Sequence, residues 1–315
     1  MRETFTLFPE AASQFAPMVD HLYYFEVGIS VLMTILIFMA IFVFAIKYRR
    51  RNPDEVPHQF EGSMKLEIAW SVIPFIIMLV MCFWGASVAF QEYAPPINAY
   101  NIYVVGKQWM WKVQYPEGNR EINEMHVPIG RQVRVTLASE DVIHSFFIPA
   151  FRVKHDAVPG TYETLWFKAT KTGTFKLECS EFCGTQHAHM KGEVIVVPPA
   201  DYAAWLTRQG VHESLAEQGE ALFRERGCSG CHGAHSTVHA PALAGLWGSL
   251  VHLQDGSVRR ADEQYIRDCI LEPRTFTVAG YPPVMPSFAG QLGEDELLKL
   301  VAYIRSLAHD NGAAR

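Results

Sequence analysis

Hydrophobic positions along this chain fall into three regimes: two unbroken apolar runs, then short alternating segments, then stretches of helical period. The first run, Val27 to Ile46 ("VGISVLMTILIFMAIFVFAI"), carries no charge over twenty residues, which as a helix spans about 30 Å, the thickness of a bilayer's hydrocarbon core. The second, Ala69 to Phe90, is equally uncharged, and its Pro74 is tolerable inside a helical bundle. A hairpin of two membrane-spanning helices is expected. A buried hairpin in a large soluble core is the competing reading. The first run is too long for a signal h-region and follows a mixed, acidic N-terminus, which argues against a secretory leader.

From about Ile97 to Pro198 the period shortens to two. Segments such as "YNIYVVGKQWMWKVQY", "QVRVTLAS", "ETLWFKAT" and "GEVIVV" are rich in Val, Ile, Thr and aromatics, and "PEGN", "VPIG", "VPG" and "KTG" punctuate them. That pattern predicts a small all-β sandwich or barrel. The stretch "PPADYAAWLTRQGVHESLAE" then leads into helical periodicity. The expected organisation is an N-terminal segment with the hairpin over residues 1–96, a β domain over 97–198, a linker over 199–213 and a second soluble domain over 214–315.

Charge orients the hairpin. Lys47, Arg49, Arg50 and Arg51 follow the first span, whereas both outer flanks are nearly free of Lys and Arg. By the positive-inside bias the connecting loop is cytoplasmic, which puts both termini and everything after about residue 91 outside the cytoplasmic membrane. A formal net charge of -6 gives no reason to expect nucleic acid as a partner.

Six cysteines on the oxidising side of a membrane would ordinarily predict three disulfides. Their spacing argues otherwise. Cys228, Cys231 and His232 form "CSGCH", the C-x-x-C-H attachment site of a c-type haem, with two thiols for the vinyl groups and the imidazole as axial ligand. Met285 in "YPPVMPSF" is the only methionine after Met190, and its thioether is the expected sixth ligand. His235, His239, His252 and His309 are rival ligands. With "GEALFRERGCSGCHG", "APALAGLWG" and the amphipathic "MPSFAGQLGEDELLKLVAYIRSL", the whole segment resembles a class I cytochrome c, which implies an all-α fold and haem c.

Residues 179–190, "CSEFCGTQHAHM", crowd Cys179, Cys183, His187 and Met190 into twelve positions. Structural zinc prefers C-x-x-C pairs and rarely takes thioether sulfur, so thiolate, imidazole and thioether together favour copper. A mononuclear blue site needs one cysteine; the second thiolate points to two copper ions bridged by both sulfurs. That arrangement requires a further imidazole from the β domain, and His126, His144 and His155 are all available.

The stretch "DVIHSFFIPAFRVKHDAVPG" followed by "CSEFCGTQHAHM" resembles cytochrome c oxidase subunit II, and "LEIAWSVIP" at the second helix and "GKQWMWKVQYP" extend the resemblance over nearly the whole chain. With the C-terminal cytochrome this is the caa-type arrangement of a haem-copper oxidase. The resemblance implies a multi-domain membrane protein in which a cupredoxin-like domain holds the dinuclear CuA centre. It makes His144 the missing ligand, adds the backbone carbonyl of Glu181 to Cys179, Cys183, His187 and Met190, and leaves His155 and His189 outside the set. It further places Trp109 where electrons enter CuA, the side chain of Glu181 at a magnesium or manganese site facing subunit I, and Glu67 near a proton entrance. Met110 departs from the tyrosine common between the paired tryptophans, and Cys82 and Cys269 belong to no motif.

The implied function is electron input to a respiratory terminal oxidase of the bacterial inner membrane: haem c to CuA, then to the catalytic subunit I, where oxygen is reduced and protons are translocated. The implied partners are subunit I, further oxidase subunits, membrane lipid, and an upstream donor that is either a cytochrome c or a quinol-oxidising complex. Three alternatives remain open on sequence: the equivalent subunit of a nitric oxide reductase, a stand-alone membrane-anchored electron carrier, and a copper-delivery protein.

Overall fold

A computed structural model of the chain describes residues 8–56, 62–210, 213–233 and 236–308. Residues 14–94 form one compact unit, and residues 95–308 with the N-terminal stretch before Gln14 form another.

The first unit is the hairpin. Helix α1 (Ala16–Lys47) has 32 residues and α2 (Met64–Tyr93) has 30. Each extends past its apolar run, because the flanking residues also favour helix: Pro17 has its φ preset at the N-terminal turn of α1, where no N–H is needed. Pro74 lies inside α2 without ending it. Phe25 and Trp84 meet with ring centroids 5.5 Å apart, and Gly85 leaves room for Leu22, so small and aromatic residues set the pairing. Elsewhere Phe38, Phe42, Phe83 and Phe90 are 67–76% exposed. Apolar surface of that extent suits hydrocarbon rather than water.

The second unit begins with a β-sandwich. Its strands are β1 (Tyr100–Lys107), β2 (Met110–Gln114), β3 (Arg120–Ile122), β4 (Glu124–Pro128), β5 (Gln132–Ser139), β6 (His144–Ile148), β7 (Val153–Ala157), β8 (Glu163–Lys168), β9 (Gly173–Cys179) and β10 (Lys191–Val197). One sheet runs β3-β2-β1-β5-β8 and the other β4-β10-β9-β6-β7, with β1/β5 and β4/β10 parallel and the remaining pairs antiparallel. Alternation along the strands turns Ile102, Val104, Trp111, Val135, Phe146, Leu177 and Val194 into a shared, solvent-free core. Before α1, Ala12 donates to Ala150 O and accepts from Thr170 N, each at 2.9 Å, so this end of the N-terminal segment belongs to the sandwich rather than to the hairpin.

The stretch read as a linker carries a helix, α3 (Pro199–Arg208). Its Tyr202 and Trp205 are buried: Trp205 stacks on His126 at 4.6 Å, and the Tyr202 and Tyr100 hydroxyls are 2.9 Å apart. Beyond it, a Ser214–Glu217 capping box opens α4 (Leu215–Glu225), followed by the short α5 (Ser229–His232), α6 (Glu263–Leu271) and α7 (Glu294–Ser306). A two-stranded ribbon, β11 (Leu250–His252) with β12 (Val258–Arg260), adds to the expected helical domain. Helices α4 and α7 cross at Gly219, where a Cβ would stand 2.0 Å from Lys299 O. Gly219→Ala is therefore expected to force the helices apart and destabilise the domain by about 1–3 kcal/mol. Thermal unfolding followed at the haem absorbance checks this, and an unchanged midpoint would mean that the crossing tolerates a methyl group.

Candidate metal centres

Neighbouring strands bring the first set of donors together. Cys179 ends β9, Met190 immediately precedes β10, and the loop between them is closed at its base by Cys179 N–H donating to Met190 O at 3.2 Å. Ser180 N–H donates to Ser145 O at 3.0 Å, which ties the same loop to β6, where His144 is the first residue. Inside it, Cys179 Sγ and Cys183 Sγ are 3.8 Å apart, Cys183 Sγ lies 3.5 Å from His187 Nδ1 and 3.8 Å from Met190 Sδ, and Glu181 O is 3.3 Å from Cys179 Sγ. A ring nitrogen of His144 and both sulfurs fall within 4.8 Å of one another. All six expected ligand positions thus converge.

Burial pushes both thiols up. At Cys179, the neighbouring His144 imidazole and the Ser145 backbone outweigh burial and hold the thiol well below its ordinary value. At Cys183, the negative charge on Cys179 adds to burial and raises the thiol further. The pair therefore sheds one proton readily and the second only when a cation takes its place. His144 is fully buried, its Nε2 is 2.8 Å from Asp141 Oδ1, and its Nδ1 has no hydrogen-bond partner among the described residues. An orphaned buried nitrogen beside two thiols and a thioether fits copper.

Trp109 and Gln108 cap this loop: both side chains donate to Cys183 O, at 3.3 Å and 2.8 Å. Asp141 joins the elements, accepting from Gln108 N–H at 2.8 Å and Val142 N–H at 2.7 Å in addition to its bond with His144. Sequence reasoning missed Asp141 and Gln108. The position three before His144 in "DVIH" was a weak signal for Asp141, and none marked Gln108. Glu67 lies in the first turn of α2, and the side chain of Glu181 is exposed.

The second set lines a cleft in the C-terminal domain. Cys228, Cys231, His232 and Met285 share its walls with Phe223, Ile266, Leu300 and Ile304. Neither Cys228 nor Cys231 is in a disulfide. Pro241 O is 2.9 Å from His232 Nδ1, so that nitrogen carries the proton and Nε2 is left for iron. The donors fit a covalently held haem, with apolar walls that favour a raised potential. The carbonyl of Pro241 has no sequence signature.

The remaining histidines have other surroundings. His126 pairs with Glu121 at 2.7 Å, while Glu121 also accepts from Tyr115 at 2.6 Å, so this cluster satisfies itself. His239 stacks on Tyr281 at 4.6 Å, His155 is half-buried with Nδ1 3.2 Å from Asp156 O, and His189 and His252 are exposed. His235 and His309 lie outside the described residues. Cys82 is exposed on α2, whereas Cys269 lines the haem cleft, its thiol pushed up to about 11 by burial.

A helical hairpin, a sandwich with a thiolate cluster at its rim and a C-x-x-C-H domain together define a membrane-anchored electron-transfer protein with two redox centres. Comparison with known proteins narrows this. The cytochrome c oxidase subunit II transmembrane domain matches residues 3–88, its periplasmic domain matches 120–197, and cytochrome c matches 216–308. Cytochrome c oxidase subunit 2 of Alkalihalophilus pseudofirmus is 32% identical over 88% of this chain and 83% of the relative. That of Bacillus sp. (strain PS3) is 30% identical over 82% of this chain and 80% of the relative. Among solved structures, the periplasmic domain of subunit II of cytochrome oxidase from Bradyrhizobium japonicum is 37% identical, covering 37% of this chain and 97% of that one, with a TM-score of 0.36. The chain belongs to the cytochrome c oxidase subunit II family and carries a cytochrome c domain at its C-terminus. These two domains imply CuA and haem c.

Gly106 is the tightest point beside the thiolate cluster. A Cβ there would stand 2.8 Å from His144 Cδ2 and 3.3 Å from Trp111 Cζ3. Gly106→Ala is expected to displace His144 and lower copper content or alter the copper spectrum, with haem attachment unchanged. Metal analysis and optical spectra of the purified variant check this; wild-type copper with a wild-type spectrum would contradict it.

Proposed function

We propose that the chain is the electron-input subunit of a respiratory haem-copper oxidase, carrying electrons from haem c to CuA and on to subunit I, where oxygen is reduced. The observation that carries this is the convergence of His144, Cys179, Cys183 and Met190, all buried, with His187 at their edge, on the same chain as a C-x-x-C-H cleft. When bound, the two groups supply one-electron redox chemistry. Cys179 and Cys183 would hold the copper through their thiolates, His144 and His187 through their imidazoles, and Met190 and Glu181 through the thioether and the backbone carbonyl. Cys228 and Cys231 would hold the haem covalently, and His232 and Met285 would ligate its iron.

Other residues position these donors. Asp141 holds His144 by Nε2 and at the same time fixes the Gln108–Trp109 turn, so a copper ligand and the proposed electron-input residue share one anchor. Trp109 touches the backbone of Cys183 directly, which supports a role for it in electron input. The exposed carboxylate of Glu181 is free to face subunit I, in keeping with a magnesium or manganese site there. Glu67 sits at the loop end of α2 and would lie on the cytoplasmic side, in keeping with a proton entrance. The basic loop after α1 supports an inner-membrane orientation with both termini on the outer face, surrounded by lipid and further oxidase subunits. The upstream donor would be a cytochrome c or a quinol-oxidising complex.

Replacing Cys183 by Ser removes one proposed bridge. Copper is expected to fall well below two ions per chain, and external donor should still reduce haem c while electron flow to subunit I stops. Metal analysis with stopped-flow spectra of the assembled oxidase tests both, and full copper with normal oxygen consumption would defeat the reading. Protease added to spheroplasts is expected to remove everything after α2; protection of that part would reverse the orientation.

A further inference from the structure

The outer face of the β3-β2-β1-β5-β8 sheet is not open to solvent. Tyr103 and Val105 of β1 and Ala138 of β5 are at most 3% exposed, packed against Leu215 of α4 and Leu298 of α7. Charged groups surround this apolar patch. Arg134 of β5 reaches Glu263 of α6 at 2.5 Å, and Asp295 of α7 meets Gln114 at 2.8 Å and Lys112 at 3.4 Å. Backbone bonds add to it: Arg267 donates to Gly160 O at 2.8 Å, Tyr162 N–H donates to Gln264 at 2.7 Å, and Leu215 N–H donates to Pro116 O at 2.9 Å.

On α7, Asp295 and Leu298 take part in these contacts, whereas Leu300 and Ile304, on the other side of the helix, line the haem cleft. Phe223 of α4 and Ile266 and Ile270 of α6 line the cleft as well. None of the contact residues named above lines the cleft. Helix α7 therefore lies between the sheet and the cleft, and these contacts do not occupy the cleft.

We infer that the cytochrome domain is clamped on this sheet face as a fixed module, so that an external donor meets it in place and no swing of the domain accompanies electron delivery. The inference rests on the proposed relay only for its functional meaning; the clamp itself stands on contacts. Its centre is apolar, as in interfaces that do not open in use. Glu263 and Arg267, 4% and 7% exposed, each take a cross-interface partner, so separation would break charge-assisted bonds as well as expose apolar surface. Little slack is available, because α3 is pinned through Tyr202 and Trp205 and by Asn119 donating to Leu206 O, and the chain is held again at Leu215.

In the assembled, oxidised oxidase, CuA and haem c are both paramagnetic, and pulsed dipolar spectroscopy reads the distance between them. One narrow distribution is expected, unchanged by ionic strength. The double variant Arg134→Glu, Asp295→Lys places like charges against Glu263 and Lys112, and should broaden the distribution. A broad or two-peaked distribution in the wild type would overturn the clamp, and so would an unchanged one in a variant that retains both metals. Should that variant lose haem or copper, carbodiimide cross-linking of the wild-type complex decides instead. Capture of Lys112 to Asp295 is expected, and its absence would count against the clamp. A narrow distribution in an oxidase whose copper is reduced without the haem would leave the clamp standing and remove the serial relay.

Discussion

Two sulfur atoms held 3.8 Å apart, well beyond the roughly 2.05 Å of a disulfide, set the terms for the rest of the soluble structure. Two thiols four residues apart on a free loop would oxidise or point apart, and two thiolates that close repel each other. The sandwich removes both freedoms. Cys179 is anchored at the end of β9, the loop is closed onto Met190 beside β10, and Ser180 is tied to β6. With the backbone held at three strands, the donors have little left to rearrange when charge arrives. Binding a cation then completes a site whose second proton is hard to remove without it.

The C-terminal domain meets a related requirement with less regular structure. Its haem donors come from the short α5 and from the loop that holds Met285, and helices α4, α6 and α7 supply the apolar wall behind them. Pro241 O does for His232 what Asp141 does for His144, occupying one ring nitrogen so that the other is available to a metal. In one case the partner is a carboxylate, which raises the basicity of the imidazole. In the other it is a neutral carbonyl.

Much of this was legible in sequence because ligands cluster locally. Cys179, Cys183, His187 and Met190 fall within twelve residues, and Cys228, Cys231 and His232 within five, so spacing alone announced metal. His144 came only with the family resemblance, since three upstream histidines had equal claim by residue type; the fold separates them by giving His126 to Glu121 and His155 to the carbonyl of Asp156, while His144 stands beside the two thiols. The helix α3 was passed over because "PADYAAWLTR" opens with proline after a strand and reads as a boundary. Its stability comes from Tyr202 and Trp205 packing on the sandwich, which is tertiary information. β1 likewise fails to alternate in burial from Tyr100 to Gly106. A two-sided burial pattern in an antiparallel-type domain is the trace of a partner on the outer face, and here that partner is the cytochrome domain.

That covered face also places the domain boundary close to the copper cluster. Lys112 bridges Asp295 of α7 and Glu140, at 3.4 Å and 2.5 Å, and Lys107 reaches Glu140 from the other side at 3.0 Å. Burial alone would raise the Glu140 carboxyl, but the two ammonium groups keep it below its ordinary value, so it stays charged. Glu140 also donates its N–H to Gly106 O, and Gly106 is the residue against which His144 packs. The next residue along, Asp141, holds His144 itself. The cytochrome interface and His144 are thus joined through one short run of backbone on β1, β2 and the β5–β6 turn. A module fixed there keeps the separation and orientation of its donors constant relative to the copper cluster, whereas a tethered one would supply only a raised local concentration. Fusion of the two domains then contributes geometry as well as proximity.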